Sequence, residues 1–330
     1  LGEPAWIVRP LPAGTTPPTN GLPTFPLYWE NDDESHNRLG VDSHLLFTSP
    51  KDGDYIVRIT DTRGFGGEEN DPSSYRYTLT ARTPRPTFSI SISGMSPKIS
   101  PGGSQEVTFT AQRIEGYVGP IRIDVNHLPD GLTFHGPIEI ERDQFRAVGV
   151  LSASRDAISP SKEANEMVDI QATALAKTSR HGNPVYEPTQ DLGDLGQITI
   201  RDAPKITCAI VPPGTSHTQQ DLSSVTTPVT FTIHPGETIR AKVMVTRHDF
   251  DGRVPFGTNT DVGRNLPYGV YVDNLGLNGL LIVEGQNERE FFLTASPAAR
   301  PGKRFFHLKT TADGSQCSRP AMIEVVPALQ

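Results

Sequence analysis

The chain has 330 residues, a length that suits two or three domains, and a formal net charge of −8. The negative charge argues against a nucleic-acid groove, and no apolar run approaches the roughly 20 residues that cross a bilayer. The 30 Gly and 30 Pro are scattered between short apolar runs, which excludes a collagen repeat and argues against wholesale disorder. Many short strands joined by Gly/Pro turns have this composition, so the chain is predicted to be all-β.

The first segment, residues 1–84, is predicted to form a β-sandwich that ends in a stiff linker. Residues 55–59 and 75–79 alternate apolar and polar side chains, as half-buried strands do. Pro84 and Pro86 each remove a hydrogen-bond donor, which favours an extended connection. The predicted strands of this segment are residues 5–9, 24–30, 43–48, 55–60 and 75–81.

The rest of the chain contains an internal repeat. PGGSQEVTFTAQR, residues 101–113, aligns without a gap to PGETIRAKVMVTR, residues 235–247, so that Arg113 and Arg247 coincide. Downstream, LPDGL at residues 128–132 corresponds to LPYGV at residues 266–270. The repeat predicts two copies of one immunoglobulin-like β-sandwich, residues 85–201 and 202–330, with the two arginines at equivalent strand ends. Three tandem β-sandwiches are therefore expected, with one or two helical turns within residues 159–167.

The two cysteines both lie in the last third of the chain. Cys208 is near the first strand of the third domain and Cys317 near its last, and neither belongs to a CxxC pair, which argues against a zinc site. This placement predicts a disulfide, with two free buried thiols as the alternative. A catalytic cysteine would need a low-pKa thiolate beside a base, and no local pattern supplies one.

A dense acidic loop near the N-terminus is the main candidate for a binding site. Its oxygen-bearing side chains are Asn31, Asp32, Asp33 and Asp42, and Asp61 or Asp54 could join them from a neighbouring loop. Ca²⁺ takes six to eight oxygens from such loops. A solvated acidic turn explains the same residues, and a general acid–base pair would additionally need a cleft and one carboxyl with a raised pKa. The residues alone leave these three readings open.

The same region resembles a known family. NDD at residues 31–33, DSHLLFTSPKDGDYIVRITDTRGFGG at residues 42–67 and SYRYTLTAR at residues 74–82 are similar to bacterial pre-peptidase C-terminal domains. The resemblance covers residues from about 28 to 82. It implies a β-sandwich that is carried as a non-catalytic appendage of large exported bacterial proteins. Relatives among collagenase collagen-binding domains bind calcium, so the resemblance also implies a calcium site.

The predicted function is that of a non-catalytic accessory region, acting in spacing, adhesion or substrate targeting. The chain has no G-x-S-x-G, H-E-x-x-H or P-loop motif. It has no signal peptide or initiator Met, so we expect it to begin inside a longer precursor that is secreted, periplasmic or on the cell surface. Expected partners are other domains of that precursor and a polysaccharide or extracellular protein, with no nucleic acid and no membrane span.

Two alternative functions remain open. The first segment is rich in aromatic residues, and a carbohydrate-binding module would need two or three of them exposed and coplanar. A hydrolase would need two convergent carboxylates of the first domain inside a pocket. The aromatic candidates are Trp6, Tyr28, Trp29, Tyr55, Tyr75 and Tyr77.

Overall fold

β-Strands are the main regular secondary structure of the described residues, which confirms the predicted all-β fold. The computed structural model describes residue 11 and residues 15–24, 29–31, 42–49, 51–59, 78–215, 228–258, 261–273 and 275–327. Within these residues it contains nineteen strands and one five-residue α-helix. The chain divides into two units, Leu1–Thr78 and Leu79–Gln330.

No helix in the described part of the chain has the length and apolar character needed to cross a membrane.

Ten strands and the helix form the first of two sandwiches in the larger unit, which we call the middle sandwich. They are β1 (Thr87–Ser93), β2 (Lys98–Ile99), β3 (Ser104–Ile114), β4 (Ile121–Asn126), β5 (Leu132–Phe134), β6 (Ile138–Ile140), β7 (Arg146–Ala153), α1 (Lys162–Glu166), β8 (Asp169–Ala174), β9 (Thr189–Asp191) and β10 (Thr199–Ile200). One sheet has the order β1-β3-β7-β5 and the other β6-β4-β8-β9, while β10 pairs with β2 in parallel. The helix lies within the segment predicted to make one or two turns.

Nine strands form the second, which we call the C-terminal sandwich. They are β11 (Ile206–Val211), β12 (Thr230–Ile233), β13 (Thr238–Arg247), β14 (Val254–Pro255), β15 (Val270–Asp273), β16 (Leu281–Ile282), β17 (Glu288–Ala295), β18 (Gly302–Phe306) and β19 (Ala321–Val325). Its sheets have the orders β11-β13-β17-β15 and β12-β19-β18, with the pair β14-β16 in addition.

Each sandwich encloses its own hydrophobic core, because alternate side chains of its strands point inward. In the middle sandwich, Val107 and Phe109 on β3 and Ile123 on β4 all have 0% of their surface exposed. In the C-terminal sandwich, Val243 on β13 and Ile323 on β19 are equally buried. Two separate cores in tandem are what the repeated sequence implies.

The repeated segments occupy equivalent strands. Each forms the long second strand of a four-stranded sheet, β3 in one sandwich and β13 in the other. Arg113 pairs with Phe88 on the first strand of its sheet, and Arg247 pairs with Ile206 on the first strand of its own. The two arginines therefore lie at equivalent strand ends. The domain boundaries at residues 84 and 201 stay predictions.

The N-terminal unit differs from its prediction where it is described. Residues 43–48 and 55–59, predicted as strands, contain no strand. Ile56 is 96% exposed and Ile59 is 52% exposed, so neither face of this segment is covered. A segment in which apolar and polar side chains alternate forms a strand only where a neighbouring strand pairs with its backbone and a core covers one of its faces. The remaining predicted strands lie wholly or partly outside the described residues, and the sandwich predicted for residues 1–84 stays a prediction.

Candidate functional site

The outer face of the sheet β1-β3-β7-β5 carries a buried group of charged side chains. Val107 and Phe109 point into the core from β3, so Glu106 lies on the opposite face, directly across the ladder from Val150 on β7. Val150 and its neighbour Val148 are only 3% and 5% exposed, although neither belongs to the core of the middle sandwich. This outer face is covered by loops of the C-terminal sandwich.

Glu106 is the centre of a charged cluster that joins the two sandwiches. Its carboxylate is 6% exposed and is bound by three side chains of the C-terminal sandwich. Arg264 Nε donates to Oε1 at 2.8 Å, and Lys309 Nζ donates to Oε2 at 2.7 Å. His307 Nε2 donates to Oε1 at 2.9 Å, and its ring is 1% exposed. We refer to these four residues as the Glu106 cluster.

The protonation states in the Glu106 cluster follow from burial and neighbours. Burial alone would raise the pKa of Glu106, but hydrogen bonds from His307, Arg264 and Lys309 outweigh it and hold the pKa well below its ordinary value. Burial lowers the pKa of His307, although Glu106 opposes that shift. At neutral pH the cluster therefore holds one carboxylate, two cations and a neutral imidazole that donates from Nε2.

A second set of contacts extends the interface on either side. Asn265 Oδ1 accepts from the backbone N–H of Val148 at 2.9 Å and from Arg304 at 3.1 Å. Arg304 also pairs with Glu141 of the middle sandwich at 3.1 Å. The backbone N–H of Cys317 donates to the carbonyl of Ser104 at 3.1 Å. These contacts fix the C-terminal sandwich along one edge of the middle sheet.

A metal ion does not suit this cluster, although suitable donor atoms are close together. One donor atom each from Glu106, His307 and Cys317 lie within 4.8 Å of one another. Both carboxylate oxygens already bind the fixed cations Arg264 and Lys309, which a divalent ion would have to displace or face as a like charge. Burial and the nearby carboxylate raise the pKa of Cys317, so the thiol stays protonated. We interpret the group as an ion-paired cluster and not as a metal centre.

The same geometry does not suit nucleophilic catalysis. Cys317 and His307 are 3% and 1% exposed, so a substrate cannot reach them without separating the two sandwiches. His307 Nε2 is committed to Glu106, and the raised pKa of Cys317 removes the thiolate that an attack would need. No cysteine nucleophile is assembled at this site.

The predicted disulfide is not formed, and both cysteines are free buried thiols. Cys208 points from β11 into the core of the C-terminal sandwich, where burial raises its pKa to about 12. Cys317 lies beside Glu106, outside that core. The prediction was wrong because nearness in the strand order does not establish that two side chains meet: Cys208 belongs to the core, and Cys317 does not.

The tentative calcium residues lie in the N-terminal unit. Asp32, Asp33 and Asp61 are outside the described residues. Asp42 is exposed, and Asn31 Oδ1 accepts the backbone N–H of His44 at 3.4 Å. This bond links two positions that are thirteen residues apart in the sequence, and it needs no cation.

The described aromatic residues of this unit do not form a flat platform. Trp29 and Phe47 meet edge to face, with ring centroids 5.3 Å apart and planes at 89°. Phe47 and Tyr55 are 5.0 Å apart with planes at 65°. A sugar ring stacks on coplanar aromatic faces, so this arrangement does not favour the carbohydrate-binding alternative. Trp6, Tyr28, Tyr75 and Tyr77 lie outside the described residues.

The Glu106 cluster is not evident from the amino-acid sequence. Glu106 alternates with core residues of β3, which predicts a solvated outward position, and its partners follow more than 150 residues later in the chain. One signal was available. The β7 segment RAVGVLSA has apolar residues at both parities, which is typical of a strand that is buried on both faces.

Comparison with known proteins identifies no relative by sequence. No protein-family model matches the chain, and no curated protein matches it. Among solved structures, a protein of unknown function from Porphyromonas gingivalis W83 is 11% identical with a TM-score of 0.22; the alignment covers 73% of this chain and 96% of that one.

Two further structures are similar at the same level. Domains 4 and 5 of the S-layer protein SbsC are 13% identical with a TM-score of 0.21, over 72% of this chain and 97% of that one. The D00-D0 domain of intimin is 12% identical with a TM-score of 0.20, over 71% and 98%. Similarity this low supports no assignment of function, which therefore depends on the site itself.

Proposed function

We propose that this chain is a non-catalytic accessory region of a larger exported protein, in which the middle and C-terminal sandwiches act as one rigid spacer. The observation that carries the proposal is the Glu106 cluster, which is shared between the two sandwiches and whose carboxylate and imidazole are 6% and 1% exposed. Domains joined in one chain usually move relative to each other unless their interface is large and well packed. Here the carboxylate of Glu106 on the middle sandwich is 6% exposed and is bound by three side chains of the C-terminal sandwich, so a shifted docking would leave it buried without its partners.

The energetics favour a single docked arrangement. Removing one partner of a buried ion pair typically costs about 3–5 kcal/mol, because it leaves an uncompensated charge. Glu106 and Arg264 are 6% and 20% exposed as side chains, so both depend on this contact. Val148 and Val150 add apolar area to the same face. A spacer needs this property, since it transmits a fixed distance and orientation.

The N-terminal unit has a targeting role in this proposal. We assign residues 28–82 to a pre-peptidase C-terminal-like module that targets the parent protein to a polysaccharide or extracellular protein. The support is the sequence pattern together with two contacts. Phe47 and Tyr55, both pattern positions, pack against each other, and the Tyr55 hydroxyl accepts from Ser49 Oγ at 2.9 Å.

Distance measurements between the sandwiches test the spacer. Gln171 on β8 and Thr232 on β12 are exposed strand positions, and cysteines there would carry spin labels. The buried native thiols resist labelling at neutral pH, because their pKa values are raised. We expect a single narrow distance distribution by double electron–electron resonance at neutral pH. Glu106→Gln should broaden it, since Arg264 and Lys309 would lose their anion.

Glu290→Gln is the matched control. Glu290 pairs with Arg240 at 3.6 Å, but this carboxylate is 42% exposed, and an exposed pair contributes about 0–1 kcal/mol. The control should keep the narrow distribution. A wild-type distribution as broad as that of Glu106→Gln would contradict the spacer.

A further inference from the structure

We propose that the interface between the middle and C-terminal sandwiches is an acid-sensitive joint, closed at neutral pH and opened when His135 and His307 gain a proton. The two histidines lie on opposite sides of the interface, one from each sandwich. The inference concerns the regulation of the rigid pair and rests on the spacer proposed above.

His307 has no free anion to receive a positive charge. It faces Glu106 from β3, and the cations Arg264 and Lys309 already share that carboxylate. Cys317, which lies beside the cluster, is a neutral thiol. Asp261, which also pairs with Arg264, lies 3.9 Å from it and has a side chain that is 77% exposed. Protonation would therefore place a third cation around one carboxylate.

His135 is enclosed by groups that also disfavour a charge. Its Nε2 is 3.0 Å from Ser152 Oγ, and its ring meets Phe305 of the C-terminal sandwich edge to face at 6.0 Å. Arg319 and a protonated His307, both from the C-terminal sandwich, oppose a positive charge on His135. Among the described residues, no carboxylate forms an ion pair with His135. Opening the interface would return the ring to water, where its charge is solvated.

The direction of the pH effect is the same for both rings. Burial lowers the pKa of His135 to about 4, with smaller contributions from Arg319 and His307, and burial lowers the pKa of His307 as well. The open form therefore binds more protons as the pH falls below the ordinary value of 6.5, and the closed form loses stability from there down to about 4. The lowered pKa of Glu106 acts in the same direction, but only at lower pH.

The size of the effect follows from the shift at His135. Between pH 7.5 and pH 5, its pKa change from 6.5 to about 4 raises the ratio of open to closed molecules on the order of 30-fold. His307 adds to this in the same direction. An interface that is closed at neutral pH by a modest margin would then be substantially open in mild acid.

The experiment uses the full chain with spin labels at Gln171→Cys and Thr232→Cys, measured at pH 7.5 and pH 5. We expect one narrow distance at pH 7.5 and a broad distribution at pH 5 that returns to narrow on neutralisation. The double variant His135→Gln/His307→Gln carries no titratable ring and should stay narrow at pH 5. His234→Gln, which alters a partly exposed histidine of the turn after β12, should open like the wild type.

The outcomes separate the two proposals. A distribution already broad at pH 7.5 would refute the spacer and with it the joint. A distribution narrow at both pH values would overturn the joint and leave the spacer standing. A double variant that opens in acid as the wild type does would also overturn the joint. If the double variant does not fold, His135→Gln alone should weaken the acid response by on the order of 30-fold, and an unchanged response would refute the inference.

Discussion

Gly131 and Gly269 occupy the same turn in the two sandwiches, and at both positions the backbone requires glycine. Their φ angles are +79° and +85°, a region that L side chains rarely adopt. Each turn closes on the end of the following long strand, since Ser154 N–H donates to the Gly131 carbonyl at 2.8 Å and Ser296 N–H to the Gly269 carbonyl at 2.7 Å. The repeated Leu-Pro-x-Gly sequence is thus a repeated structural element.

Substituting these glycines should separate backbone strain from crowding. A Cβ on Gly269 would lie 2.8 Å from Ser296 Oγ and 3.0 Å from the Cα of Ala299, whereas Gly236 has the same φ of +85° and open space around it. We expect Gly236→Ala to cost about 1–2 kcal/mol of unfolding free energy from the left-handed backbone alone. Gly269→Ala should cost about 1–3 kcal/mol more. Urea denaturation of both variants measures the difference, and equal losses would contradict it.

Arg113 and Arg247 perform the same task at the ends of their strands. Arg113 donates to the carbonyls of Gln144 at 2.9 Å and Glu141 at 2.8 Å, and also to that of Gly119. Arg247 binds loop carbonyls in its own sandwich in the same manner, including that of Gly252 at 2.7 Å. A guanidinium has five donors in a fixed plane, so one side chain can satisfy several loop carbonyls at once.

At the scale of elements, the short helix α1 anchors the edge of the middle sandwich. Ser161 caps it by accepting the Ala164 N–H at 3.2 Å. Asn165, 3% exposed, accepts the backbone N–H of Ile198 at 3.1 Å and donates to the Ser161 carbonyl at 3.0 Å. A helix of five residues is not stable by its own hydrogen bonds, so these tertiary contacts hold it.

Asn165→Ala should therefore loosen this edge. The buried N–H of Ile198 would lose its acceptor, which costs about 1–3 kcal/mol. We expect that loss in urea unfolding, together with faster amide exchange at Ile198. Glu166→Ala is the control, because Glu166 is 58% exposed and pairs only with Lys162 at 3.5 Å; it should change stability by less than about 0.5 kcal/mol. Unchanged exchange at Ile198 in Asn165→Ala would refute the anchoring role.

At the scale of the whole molecule, the larger unit consists of two similar sandwiches that contact each other through different surfaces. The face around Glu106 in the middle sandwich corresponds in the repeat to the face around Arg240 on β13. Glu106 is buried under the C-terminal sandwich, whereas Arg240 is 62% exposed and pairs with Glu290 in its own sheet. Equivalent positions on the two strands thus have different surroundings. The acidic residue binds cations of the other sandwich, and the basic residue binds a carboxylate of its own sheet.

The acidic loop of the N-terminal unit remains a calcium prediction that a melting experiment can decide. Both tryptophans of the chain, Trp6 and Trp29, lie in this unit, so their fluorescence reports on it selectively. We expect a chelator to lower the melting temperature seen by fluorescence, because uncompensated carboxylates repel, and excess Ca²⁺ to restore it by mass action. Asp33→Asn should reduce the calcium effect.

Asp130→Asn is the control for that experiment, since Asp130 is exposed in the turn between β4 and β5 of the middle sandwich. It should leave the calcium effect unchanged. A melting curve that neither chelator nor Ca²⁺ moves would identify the loop as a solvated turn.

The sequence by itself determined the all-β class, the two-fold repeat, the equivalence of Arg113 and Arg247 and the position of the short helix. These properties depend on local patterns, namely period-two alternation, Gly and Pro at turns, and a motif that recurs without a gap. Local geometry imposes such patterns on neighbouring residues, so they can be read along one chain.

Only the tertiary structure decided which side chains and which surfaces are in contact. The Glu106 cluster joins residues more than 150 positions apart, and the covered outer face of β7 depends on where a second sandwich docks. The cysteines were misassigned for the same reason, because strand order alone does not establish which buried side chains meet. Burial changes the energy of a charge or a thiol far more than its sequence neighbours do, and burial is a property of the assembled fold.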